Sequence, residues 1–130
     1  MNKLLLLLLF IGLSLNLSSQ DTIKIRAAKP KLYQGVSTEI ASWYLYFSNE
    51  VYYLCKLPNK RTKEAMDWFE KRKDSQNVYK GSLYEGKDTT LTLSKENNSS
   101  EKLKFYFHQG EGVIVLVSTT DGVKFKFNEV

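Results

Sequence analysis

The sequence predicts a mainly β protein: an antiparallel meander of seven to eight strands that closes into a small barrel, with one helix at about 60–73 after the first hairpin. Three observations carry this. Apolar and polar residues alternate in one segment after another from Ile23 to Phe127, which is the period of a half-buried strand. Short polar clusters such as Ser48-Asn49-Glu50, Glu85-Gly86-Lys87-Asp88 and Thr120-Asp121-Gly122 separate the segments, and connections that short join antiparallel neighbours. A sheet of this many strands with one oily face rolls up until its edges pair.

In chain order, Ile23-Lys24-Ile25-Arg26-Ala27 opens the domain, and Leu32 to Val36 follows the break at Pro30, with Gly35 as a bend or bulge. Trp43 to Phe47 and Val51 to Leu57 form the clearest hairpin. A three-residue turn would put Phe47 opposite Val51, Leu45 opposite Tyr53 and Trp43 opposite Cys55, all on the core face. A two-residue turn would set Trp43 against Lys56, so the three-residue form is expected. Pro58 ends the strand, and Asn59 or Thr62 can cap the helix, whose Ala65, Met66 and Phe69 share one side.

The second half is strand and turn. Val78 to Tyr84, Thr89 to Ser94, Leu103 to His108, Val113 to Val117 and Val123 to Phe127 are the expected strands, with a polar tip from Lys95 to Glu101.

The N-terminus stands apart. Lys3 supplies a cation, Leu4 to Leu15 is apolar but for Gly12 and Ser14, and Asn16, Ser18 and Ser19 follow. That is the order of a secretory signal, and the apolar run falls short of the about 20 residues a spanning helix needs. The expectation is a signal peptide over 1–19, a secreted or periplasmic destination, and no stable membrane insertion once the leader is removed. Residues 20–130 then form one domain, since about 110 residues make one core and not two.

The chain carries 19 Lys plus Arg against 14 Asp plus Glu, and loss of the leader removes only Lys3 from that balance. The basic groups at Lys56, Lys60, Arg61 and Lys63 and at Lys71-Arg72-Lys73 sit in no nucleic-acid reading element, so no nucleic-acid partner is expected. Cys55 is the single cysteine. No internal disulfide can form, and by alternation its thiol is expected in the core.

Leu32-Tyr33-Gln34-Gly35-Val36, Trp43-Tyr44-Leu45-Tyr46-Phe47, Tyr79-Lys80-Gly81-Ser82-Leu83 and Gly122-Val123-Lys124-Phe125-Lys126-Phe127 together resemble the small exported lipocalin-like (calycin-type) β-barrel proteins of Gram-negative bacteria. The resemblance implies a barrel and no particular catalytic activity.

The chemistry-bearing residues point away from an enzyme. His108 is the only histidine and is expected at an exposed strand end. The carboxylates fall on the helix or in turns rather than in apolar strands, where desolvation would raise a pKa. No metal site and no cofactor cradle is present in the pattern. Two functional readings follow from alternation. In one, a small apolar ligand occupies the interior, lined by Trp43, Leu45, Phe47, Tyr53, Phe105, Phe107 and Phe125, with Leu91, Val115 and Phe127 beside them. In the other, the interior is solid and an exterior face bearing Tyr44, Tyr46, Tyr52 and Tyr106 meets a cell-envelope protein. Leu54, Ile114 and Leu116 are expected on that outer side. Eight strands enclose just enough space for either outcome.

Overall fold

Residues 29–130 are described by the structure, a computed structural model. The leader expected at 1–19 and the strand expected at Ile23 to Ala27 lie outside them. Nine strands and one helix follow in the order β1 (Lys31–Ser37), β2 (Ala41–Ser48), β3 (Val51–Pro58), α1 (Thr62–Arg72), β4 (Tyr79–Gly81), β5 (Leu83–Glu85), β6 (Thr89–Lys95), β7 (Asn98–Gly110), β8 (Val113–Ser118) and β9 (Lys124–Glu129).

Every pairing is antiparallel, and the strand order β4-β3-β2-β1-β9-β8-β7-β6-β5 is closed by an added β4–β6 pairing. Eight strands therefore form a barrel, and β5 is an extra strand on β6. Two seams close it. β1 meets β9 at Tyr33↔Glu129 and Gln34↔Asn128, and β4 meets β6 at Lys80↔Ser94. The segment expected as one strand from Val78 to Tyr84 is split at Ser82 into β4 and β5. The expected polar tip shrinks to the Glu96-Asn97 turn, because pairing resumes at Lys95↔Asn98.

The first hairpin has a different register from the expected one. Ser48 pairs with Val51, Phe47 with Tyr52, Leu45 with Leu54 and Trp43 with Lys56. The turn thus has two residues, Asn49 (φ 52°) and Glu50 (φ 65°), the left-handed pair that matches strand twist in a type I′ turn. Setting Trp43 against Lys56 carries no penalty because the pair lies near the open end of the barrel, where Lys56 reaches water. The faces change accordingly. Tyr52 and Leu54 turn inward, while Tyr53 and Cys55 turn outward.

Two apolar cores result. The inner one fills the barrel with Leu45, Leu54, Leu91, Leu93, Ile114 and Leu116 among others. The outer one lies between α1 and the outside of β1–β3, where Ala65 and Phe69 pack against Leu32, Tyr44, Tyr46 and Tyr53. Ile114 and Leu116, expected outside, are inside, and Val115 takes the outward position. The two-residue turn Glu111-Gly112 sets Gln109 against Ile114 and Phe107 against Leu116, and Gly112 supplies the positive φ of 70° that this turn uses.

The helix begins within two residues of the expected position. Its first turn is closed by the Glu64 carboxylate, which accepts from the Arg61 backbone N–H at 3.1 Å. Asn59 is not the cap. Its side chain donates to the Thr38 and Glu39 carbonyls at 3.1 and 3.0 Å and accepts from the Ser42 hydroxyl. The β1–β2 loop is thereby tied to the β3–α1 linker.

Candidate ligand cavity at the barrel mouth

Strands β1, β3, β6 and β8 run towards one end of the barrel and the others run away from it. At that end a cavity of about 390 Å³ opens between β1, β2, β3, β7, β8 and β9. Its walls are Val36, Trp43, Leu54, Leu103, Phe105, Leu116, Val123, Phe125 and Phe127, and Ser118 and Asp121 are its polar side chains. Phe105 and Phe125 meet edge to face with centroids 6.1 Å apart, a stable aromatic arrangement. Deeper in, Leu45, Leu91 and Ile114 are fully buried and fill the waist. The interior is thus neither hollow throughout nor solid. It is packed in the middle and open at the mouth.

Asp121 is held by its own turn. Its carboxylate accepts from the Val123 backbone N–H at 3.1 Å, and this bond, aided by the Ser118 hydroxyl, keeps its carboxyl below the usual carboxylate range. Its role is to shape the β8–β9 loop, as an aspartate in a turn does.

The far end carries a second, more polar hollow of about 450 Å³ bordered by Lys31, Tyr33, Phe47, Tyr52, Glu85 and Gln109. Burial pushes the Tyr52 phenol up to about 12, with the neighbouring Tyr33 adding to the shift. Burial also raises Tyr33, with Glu129 contributing. A phenol raised above its unfolded value of 10.0 favours the fold while both states are neutral. That advantage is full below about pH 10 and disappears as pH rises through the folded value, because the unfolded chain ionises first. Stability is therefore expected to fall between about pH 10 and 12 by about 2 kcal/mol from Tyr52. Urea unfolding followed across that range, with Tyr52→Phe flattening the slope, checks it. An equally steep slope in the variant would place the alkaline sensitivity elsewhere.

Of the residues the sequence singles out for ligand binding, Trp43, Phe105 and Phe125 line the mouth cavity. Leu45 and Phe107 belong to the packed interior, and Phe47 borders the far hollow. Tyr53 does not face the interior at all. It lies in the outer core beneath α1, with the Lys73 ammonium 5.8 Å from its ring centre. The two-residue turn moves it there.

The expected tyrosine-bearing exterior is also corrected. Tyr44 and Tyr46 do face outward, but α1 covers both to 1 % exposure. The Tyr44 hydroxyl accepts from the Lys60 backbone N–H at 3.0 Å, and the Tyr46 hydroxyl donates to the Glu70 carboxylate. Tyr52 is inside the barrel. Of the four, only Tyr106 remains on the surface. Cys55, expected in the barrel core, is half-buried on the outer side opposite Tyr44, where burial pushes its thiol up and keeps it a poor nucleophile.

Sequence reasoning missed Val36, Leu54, Leu103, Leu116 and Val123 as cavity walls. Leu103 carried a usable signal, since it shares the parity of Phe105. Leu116 did not, because Val113 to Val117 is apolar on both parities.

His108 is exposed on the outer face of β7 opposite Val115. Among the described residues no three His, Cys, Asp or Glu side chains gather as metal ligands would. The carboxylates that touch polar partners serve the fold: Glu64 at the helix start, Glu70 on Tyr46, and Glu101 accepting from the Tyr79 hydroxyl at 3.2 Å. No family model matches the chain, and no curated protein or solved structure proves similar to it.

Proposed function

We propose that this chain is an exported, non-enzymatic carrier or sensor of the lipocalin-like type, holding one small apolar molecule in the mouth of its barrel. The observation that carries the reading is the cavity of about 390 Å³ walled by nine apolar side chains. Its size falls at the small end of the roughly 300–1,000 Å³ typical of ligand pockets. Aliphatic and aromatic walls, whose two polar side chains Ser118 and Asp121 are engaged within the β8–β9 loop, suit a hydrocarbon chain or a flat aromatic ring better than a sugar or nucleotide. The latter would leave several polar groups unpaired.

Filling the cavity tests this. Leu103 is half-buried and borders the void, so Leu103→Trp occupies space that is empty rather than overpacking the waist. The expected result is that an apolar fluorescent dye, anilinonaphthalene sulfonate, binds the parent chain and quenches Trp43. The Leu103→Trp variant, equally stable to heat, should bind it about tenfold or more weakly. Tyr106→Ala, on the outer wall, should bind as the parent does. Undiminished dye binding by a folded Leu103→Trp variant would overturn the reading.

A further inference from the structure

The mouth of the barrel carries a second pattern that the cavity does not need. Three large apolar side chains stand in water there: Ile40 at 79 % exposure, Val36 at 55 % and Val123 at 46 %. Val36 and Val123 also border the cavity opening. Ile40 caps the β1–β2 loop, and Val123 follows the β8–β9 turn. The two loops are neighbours because β1 and β9 pair.

Both tips are braced from behind. The Thr38 hydroxyl accepts from the backbone N–H groups of Ile40 and Ala41 at 3.3 and 3.1 Å, and the Ile40 carbonyl accepts from the Asn59 N–H at 2.9 Å. On the other tip, the Ser118 N–H donates to the Val123 carbonyl at 2.8 Å and the Gly122 N–H to the Ser118 carbonyl at 2.9 Å. Loops held this firmly, with their apolar residues outside, present those residues to something.

Charge separates along the same axis. The mouth end bears Lys56, Lys60, Arg61, Lys95, Lys102 and Lys124. None of these six is in an ion pair among the described residues. Of the four acidic groups at that end, Glu101 is engaged by Tyr79 and Asn98 and Asp121 by its own loop, leaving Glu39 and Glu96. The far end leans the other way, with Glu50, Glu85, Asp88, Glu111 and Glu129 against Lys29, Lys31 and Lys87.

We infer that the mouth docks on an anionic lipid bilayer, with Ile40, Val36 and Val123 dipping into the headgroup–acyl boundary and the surrounding cations on lipid phosphates. Short aliphatic tips inside a cationic ring are what such a surface rewards. A protein partner would call for the aromatic and methionine anchors common at interface centres, and these tips carry none. In this orientation the cavity opens towards the acyl chains, so the bilayer itself is the source of the apolar ligand. That last step rests on the function proposed above, whereas the docking does not.

The barrel closes within residues 29–130, so a chain beginning at Gln20 is suitable material, free of the apolar leader. It is expected to sediment with phosphatidylglycerol–phosphatidylcholine vesicles, to release as salt is added, and to leave pure phosphatidylcholine vesicles unbound. Ile40→Asp, at a residue that does not line the cavity, should weaken vesicle binding roughly tenfold while dye binding in the cavity persists. Equal sedimentation of the parent and Ile40→Asp, or no sedimentation with the anionic vesicles, overturns the docking. Vesicle binding without dye binding would sink the cavity reading and leave the docking in place.

Discussion

Gly81→Ala is expected to open the barrel along the β4–β6 seam. A Cβ built on Gly81 would lie 1.8 Å from the Thr92 carbonyl oxygen and 2.9 Å from its carbon. Both are backbone atoms of the neighbouring strand, so no rotamer change relieves the clash. β4 has only three residues, and its contact with β6 centres on Lys80↔Ser94. The strand must therefore move off its partner. Overpacking typically costs about 1–3 kcal/mol and more where nothing can yield, and this case belongs at or beyond the upper bound. Against a typical stability of about 5–15 kcal/mol, the loss is large. The urea midpoint should fall and the near-ultraviolet signal of the interior tyrosines should weaken. Gly86→Ala is the control, because the nearest atoms its Cβ would meet belong to the Tyr84 ring, which is exposed and free to swing aside. Equal midpoints for the two variants would show that the seam is not as tight as the geometry makes it.

Phe69→Ala is the second large effect. Phe69 is fully buried, stacks on Tyr46 with centroids 5.0 Å apart and meets Trp68 edge-on at 5.3 Å. It is the largest fully buried side chain of α1, with Trp68 packed partly buried beside it. Truncating a buried phenylalanine costs about 3–5 kcal/mol in lost burial and residual cavity. Here the loss also loosens α1 over Tyr44 and Tyr46. The expected outcome is a lower urea midpoint and a reduced helical signal in the far ultraviolet. Met66→Ala, on a half-buried neighbour, should cost about 1 kcal/mol. If Phe69→Ala unfolds no earlier than Met66→Ala, the helix does not depend on this anchor.

Much of the fold was legible because strands with one wet face announce themselves. In β6, β7 and β9 the inward residues Leu91, Leu93, Phe105, Phe107, Phe125 and Phe127 alternate with Thr, Lys, Tyr or His, and their faces follow directly. The helix was equally readable from Ala65 and Phe69 four residues apart after Pro58. In β2, β3 and β8 parity carries no such signal. Tyr44 and Tyr46 are as apolar as Leu45 and Phe47, and Ile114 is no greasier than Val115.

Local chemistry alone therefore determined the class, the helix, the places where most strands end and the interior faces of β6, β7 and β9, which border water on the other side. Tertiary structure decided the rest. Where α1 covers the barrel, both faces of β2 and β3 are dry, and hydrophobicity cannot choose between registers. The left-handed Asn49-Glu50 turn and the docking of Phe69 choose instead. Whether a void remains depends on how the side-chain volumes of many strands meet at the mouth, a sum over distant positions that no single segment contains.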